Sequence, residues 1–160
     1  LKTIAVVGPK KSGKTLLVTS LVESLKRYGT VGTVKHMPNH AFEDKGDTRR
    51  HFEAGADVVV GVGRVLFKVT RDGSLESALD ELRSSGVDFA VVEGFKRSNL
   101  PKIVLGGVAV PHCIRRVDVS QIDEGLVEDL VRMVITRVDP EGDVIRPDKN
   151  SGSDDISTRF

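Results

Sequence analysis

The octapeptide Gly8-Pro9-Lys10-Lys11-Ser12-Gly13-Lys14-Thr15 fits the pattern G-x-x-x-x-G-K-[ST] at every position. Its flanks narrow the fold further. Ile4–Val7 is a short apolar, β-branched run that reads as a strand buried on both faces. Beyond the loop, Leu17, Leu21 and Leu25 fall on one stripe with Val18 and Val22 beside it, which predicts a helix over Lys14–Tyr28. Gly29 is expected as the left-handed stop of that helix. A strand that enters a glycine-rich turn and leaves as a helix points backbone N–H groups inward, at the positive end of the helix dipole. Such a turn wraps a phosphate. Gly8 and Gly13 allow the backbone angles and the close approach. Lys14 can reach the β- and γ-phosphates, and Thr15 offers a hydroxyl to Mg²⁺. Lys10 and Lys11 either add positive potential there or are solvated loop charges.

The rest of the chain alternates strands and helices. Strand-like runs occupy Val31–Lys35, Val58–Val62, Val65–Val69, Phe89–Val92, Ile103–Leu105 and Cys113–Val117. Helices are expected over Thr48–Ala54, stopping near Gly55, and over Ser74–Ser84, ending at Gly86. Another is expected within Asp118–Arg137, with Leu126, Leu130, Val131 and Val134 inward. Met37–Asp47 reads as a long loop. The pattern predicts an α/β three-layer sandwich of the P-loop NTPase type, its sheet largely parallel, with a β-hairpin added at Val58–Val69. Residues 1–138 form the predicted nucleotide-binding domain. Residues 139–160 turn polar and are expected to be a largely disordered tail.

Charge and cysteine usage exclude some partners. Lys plus Arg is 24 and Asp plus Glu is 23, so nothing general draws the chain to nucleic acid or an anionic membrane. No apolar run approaches the ~20 residues that cross a bilayer. Cys113 is the single cysteine, which argues against a zinc site and for a cytoplasmic location.

A P-loop site takes a carboxylate from the end of a neighbouring strand. Phe89-Ala90-Val91-Val92-Glu93-Gly94 supplies Glu93 at the C-terminal edge of the sheet, where open α/β folds bind ligands. Asp88, at the start of the same strand, would lie at the far edge. Asp44 and Asp47 fall in the long loop, which in P-loop switches closes on Mg²⁺ and the γ-phosphate. Asp47 could equally cap the helix that follows. His36 ends the second strand and either reaches the cleft or stays at the surface. Glu93 is therefore favoured over Asp88 as the metal acid beside Thr15, and Asp44 and Asp47 stay open as further candidates.

Four features in order resemble the molybdopterin-guanine dinucleotide biosynthesis protein B family. They are the loop Gly8–Thr15, Val34-Lys35-His36, and the block Asp44-Lys45-Gly46-Asp47-Thr48 followed by Ala54-Gly55-Ala56. The fourth is Val92-Glu93-Gly94-Phe95-Lys96 with Leu100-Pro101-Lys102 downstream. The block around Asp47 is shorter than the family's pattern, and Thr48 stands where the family has serine. The resemblance spans Thr3 to Val138. It implies a GTP-binding protein with weak Mg²⁺-dependent GTPase activity that forms a homodimer. It also implies a role assisting the nucleotidyltransferase that joins a GMP unit to molybdopterin, with molybdopterin itself a candidate ligand. By the same resemblance Thr15, Asp47 and Glu93 become the expected metal set, Glu93 and Asp47 the expected catalytic acids, and Lys96 and Arg97 candidates for contacting an anionic ligand.

Guanine preference rests on the resemblance alone, because the chain has no Asn-Lys-x-Asp signature. Asp118 is the best-placed candidate for the base. Two other readings of the loop stay open: a small-molecule kinase, for which Arg49 and Arg50 could serve as lid arginines, and a switch that binds a protein partner in its triphosphate form.

Overall fold

The computed structural model describes residues 1–38 and 46–140. Five strands form one wholly parallel sheet: β1 (Lys2–Val7), β2 (Val31–Lys35), β5 (Phe89–Glu93), β6 (Lys102–Leu105) and β7 (Cys113–Val117), in the order β2-β5-β1-β6-β7. Strand alternation divides the core. Ile4 and Val6 of β1 and Phe89 and Val91 of β5 face α1 (Lys14–Leu25) and α4 (Glu124–Arg137). Ala5, Val7, Ala90 and Val92 face the opposite way, against Leu75 and Leu79 of α3 (Leu75–Ser84). Helices thus cover both faces, which is the expected three-layer α/β architecture. Leu17, Leu21 and Leu25 are fully buried, and each such side chain stabilises the fold by about 1.5–3 kcal/mol.

The hairpin is present but stands as its own antiparallel two-stranded sheet, β3 (Val58–Val62) with β4 (Leu66–Thr70). Its turn differs from the predicted Gly63-Arg64. Val62 pairs with Leu66, and Gly63 N–H donates to Val65 O at 3.0 Å, so Val65 belongs to the loop. The short helix α2 (Asp47–Glu53) packs beside this hairpin: Arg71 lies over the Phe52 ring at 4.3 Å and donates to the Phe52 carbonyl at 2.6 Å.

Three local expectations are corrected. Helix α1 ends at Leu25 with Lys26 as its cap, and Gly29 does not take a left-handed conformation. Glycine is needed at 29 because a Cβ there would meet the Asp88 carboxylate at 2.6 Å. In α4 the buried stripe is Val127, Leu130, Val131 and Val134, with Leu126 only partly buried, because the helix starts at Glu124 under an Asp123 cap. A separate 3-10 turn, Val119–Gln121, precedes it. The expected loop residues 39–45, with Asp44, lie outside the described residues, as does the tail from 141. Among the described residues no helix is long and apolar enough to cross a membrane.

Asp88 ties β5 to the chain leaving α1. Its carboxylate accepts from Thr30 N–H at 2.7 Å and from the Thr30 hydroxyl at 2.8 Å, which hold its pKa below the usual carboxylate value. A carboxyl whose folded pKa is lowered contributes stability above the ordinary carboxylate range and loses it as pH falls through the folded value. The stability gap between wild type and Asp88→Ala, read from urea midpoints, should therefore be larger at pH 7 than in acid below that range. An equal gap at both would contradict this role.

Candidate functional site

The Gly8–Thr15 loop bridges the C-terminal end of β1 and the start of α1. Gly13 sits at φ 82° and Lys11 at φ 61°. The left-handed conformation costs a non-glycine residue roughly 1–2 kcal/mol, so Lys11 is held there by the surrounding turn. Residues of alternating hand turn successive N–H groups toward one concavity. Gly13 is the N-cap of α1 and supplies no side chain to satisfy the first turn, so that turn presents free donors at its positive end. The Ser12 hydroxyl is buried without a hydrogen-bond partner among the described residues. The Lys14 ammonium folds back across the loop and donates to the Pro9 carbonyl. Val119 of the 3-10 turn leans on the loop: a Cβ at Gly13 would meet its Cγ2 at 2.5 Å. Gly8 is close to the end of β6, where a Cβ would meet Leu105 O at 2.9 Å. Pro9, Lys10 and Lys11 are exposed along the loop's outer side.

Glu93 reaches this loop through strand alternation. Val91 faces α1, so Glu93, two residues on, faces α1 as well. The Thr15 hydroxyl lies 3.2 Å and 3.4 Å from the two Glu93 carboxylate oxygens. In register, Lys35 of β2 stands opposite Glu93, with its ammonium 3.9 Å from Oε2. A cavity of about 350 Å³ opens against Thr15, Lys35 and Glu93, and its described walls carry no arginine.

The chain turns sharply after Glu93. Gly94 N–H donates to Val6 O at 3.0 Å, Gly94 takes φ 103° and Phe95 takes φ 53°. Phe95 is stabilised in this unusual conformation by its ring, which packs on His36 at 4.3 Å between centroids. His36 is therefore an aromatic support, and its backbone N–H donates to Glu93 O at 2.9 Å. Lys96 and Arg97 are exposed at the tip of this turn. Lys102 underpins the turn from below. It is fully buried and donates to Ser98 O and Leu100 O, and burial lowers its pKa.

Asp47, Arg49 and Asp118 are bonded to near neighbours in the chain. Asp47 opens α2, with Gly46 rather than Asp47 as the cap, and its carboxylate pairs with Arg50 of the same helix at 3.2 Å. Arg49 pairs with Glu53. Asp118 caps the 3-10 turn, accepting from the Ser120 hydroxyl at 2.7 Å and its N–H at 2.9 Å, which lower its pKa. Among the described residues no three His, Cys, Asp or Glu side chains are gathered to hold a metal ion. The Thr15 hydroxyl and Glu93 carboxylate suit Mg²⁺, a hard ion that takes one or two protein oxygens and fills its shell with water and phosphate.

A parallel sheet with this loop at the C-terminal end of its central strand defines a P-loop-like α/β protein. A family model described as molybdopterin guanine dinucleotide synthesis protein B matches residues 3–118, and the chain belongs to that family. It is 34% identical over 113 residues to a putative molybdopterin-guanine dinucleotide biosynthesis adapter protein of Methanocaldococcus jannaschii, covering 66% of this chain and 47% of that one. A probable adapter protein of the same description from Bacillus subtilis is 33% identical over 110 residues, covering 64% of this chain and 63% of that one. The chain thus spans roughly half to just under two thirds of these relatives. In fold it is similar to a MobB protein homolog from Bacillus stearothermophilus, with TM-score 0.61 and 24% identity over 86% of this chain and 100% of that one. Bacillus subtilis MobB gives TM-score 0.63 and 22% identity over 82% and 97%.

Proposed function

We propose that this protein binds GTP with Mg²⁺ at the Gly8–Thr15 loop and acts as an accessory to the nucleotidyltransferase of molybdenum cofactor biosynthesis. Its own GTP hydrolysis is weak. The contact between Thr15 and Glu93 carries the reading: it sets one hydroxyl and one carboxylate side by side at the mouth of a phosphate loop. Family membership supports the choice of GTP and the link to molybdopterin guanine dinucleotide.

In this reading the loop's N–H groups and the first turn of α1 hold the phosphates, and the Lys14 ammonium leaves Pro9 O for the β- and γ-phosphates. Thr15 and Glu93 would hold Mg²⁺, which supplies charge neutralisation on the phosphates. Glu93 also orients the attacking water as a hydrogen-bond acceptor. Lys35, opposite Glu93 with its ammonium 3.9 Å from Oε2, helps to hold that carboxylate in place. Hydrolysis is slow in this reading, since among the described residues the cavity at Thr15 is lined by no arginine that could meet the charge developing on the γ-phosphate. Glu93→Gln should lower GTP turnover about tenfold or more while changing affinity less than threefold, measured as phosphate release beside a binding titration. Unchanged turnover would remove Glu93 from the mechanism.

The homodimer has a candidate surface in the hairpin. Val62, Val65 and Leu66 are 81%, 75% and 68% exposed, and contiguous exposed apolar groups of this kind mark interfaces. Sedimentation should give a dimer for the wild type and a monomer for Val62→Lys/Leu66→Lys with nucleotide binding retained. A dimer that survives both substitutions would place the interface elsewhere.

A further inference from the structure

The five-stranded sheet ends on β7, whose second edge is unpaired among the described strands. Arg115 of β7 and the C-terminal half of α4 line one groove of about 250 Å³. None of its lining residues belongs to the Gly8–Thr15 loop or to the cavity at Thr15. Leu130 and Met133 give the groove an apolar floor that continues into the core. Arg115, Arg132 and Arg137 stand around it, all exposed. Among the described residues these three guanidinium groups form no ion pair, whereas Arg27, Arg49, Arg50 and Arg83 each hold a carboxylate. Asp129 is the one acid in the described lining. The Thr136 hydroxyl is spent on the Arg132 carbonyl at 2.8 Å, so the groups left to meet a ligand are chiefly the arginines. A charge on an outer strand can serve to block pairing. That role accounts for Arg115 and not for Arg132 and Arg137, which project from the helix alongside.

We infer that the groove between β7 and α4 docks an extended acidic segment of a partner protein, which joins the sheet as a further strand beside β7. The unpaired edge supplies main-chain hydrogen bonds, and the groove selects the side chains that point into it. In a strand successive side chains alternate between faces, so every second residue of the segment turns toward α4. Acidic residues at those positions meet Arg132 and Arg137, and Arg115 lies beside them on the receiving strand. An apolar residue of the segment rests on Met133, whose flexible thioether adapts to its shape. A second copy of this chain does not fit. Its own β7 edge would bring Arg115 and Arg116 against the same residues, and like charges facing each other across strands destabilise the pair. The inference is independent of the nucleotide reading above, because the groove and the Gly8–Thr15 loop share no residue.

The test titrates a fluorescein-labelled peptide of alternating glutamate and valine into the full chain and follows its anisotropy. Saturable binding is expected. Arg132→Gln/Arg137→Gln should weaken it about tenfold, and Arg132→Glu/Arg137→Glu should weaken it further. Both pairs of positions are exposed, and a thermal melt checks that the fold is kept. Lys26→Gln/Arg64→Gln removes the same charge far from the groove and should leave binding within twofold of wild type. Amide exchange along β7 should slow several-fold when the peptide is bound. Absence of saturable binding would overturn the proposal, as would equal weakening by Lys26→Gln/Arg64→Gln. Unchanged exchange along β7 would overturn the added strand. An oligothymidylate that binds as tightly as the peptide would show a site for any polyanion and would overturn the choice of partner.

Discussion

Lys14→Ala should weaken GTP binding at least a hundredfold and leave the fold intact. The ammonium is the one side-chain cation that the phosphate loop carries at the start of α1, and its present partner is a loop carbonyl, Pro9 O. Hydrogen bonds to charged groups contribute about 1.5–3 kcal/mol each. Two of them, to β- and γ-phosphate oxygens, amount to roughly 3 kcal/mol or more, and each 1.4 kcal/mol is a tenfold change in affinity. Stability should move little, because the side chain is not part of the core. A binding titration beside a thermal melt separates the two effects. Affinity within threefold of wild type would mean that nucleotide phosphates are not held at Lys14.

Gly94→Ala should be the most damaging single substitution near the site, costing roughly 2–4 kcal/mol of stability. Two independent penalties meet there. The backbone sits at φ 103°, a conformation that side chains resist. A Cβ would also lie 2.7 Å from the His36 Cβ, and a Cβ cannot swing aside as the far end of a long side chain can. Relief requires moving β2 away from β5, at the position where Lys35 and Glu93 face each other. Turnover should therefore fall together with the urea midpoint. A midpoint shift equivalent to less than about 0.5 kcal/mol, the range of a neutral surface change, would show that the turn tolerates a side chain and that its geometry does not hold Glu93.

The phosphate loop and the strand ending in Glu93 were legible because their signals are local. A motif of fixed spacing sits between a buried run and a leucine stripe, and a carboxylate follows four apolar residues. The layered architecture was legible from the alternation of elements. The neighbour order of the strands was not, since it depends on long-range packing. Lys35 therefore carried no role in the sequence, although it ends β2 just as Glu93 ends β5. Only the pairing of β2 with β5 sets them opposite each other. The burial of Lys102 was hidden for the same reason: the carbonyls of Ser98 and Leu100 that satisfy it belong to a turn whose shape depends on Gly94 and Phe95. Asp47 and Asp118 are acids at suggestive sequence positions whose local bonds, to Arg50 and Ser120, a reading of position alone did not show.

Calorimetric titration of the wild-type chain with GTP and with ATP, each with Mg²⁺, decides whether the Gly8–Thr15 loop binds GTP. Saturable GTP binding at one site per chain, with ATP much weaker, is the predicted result. Absence of binding by either nucleotide would contradict the account, and a clear preference for ATP would contradict its choice of nucleotide and favour a kinase.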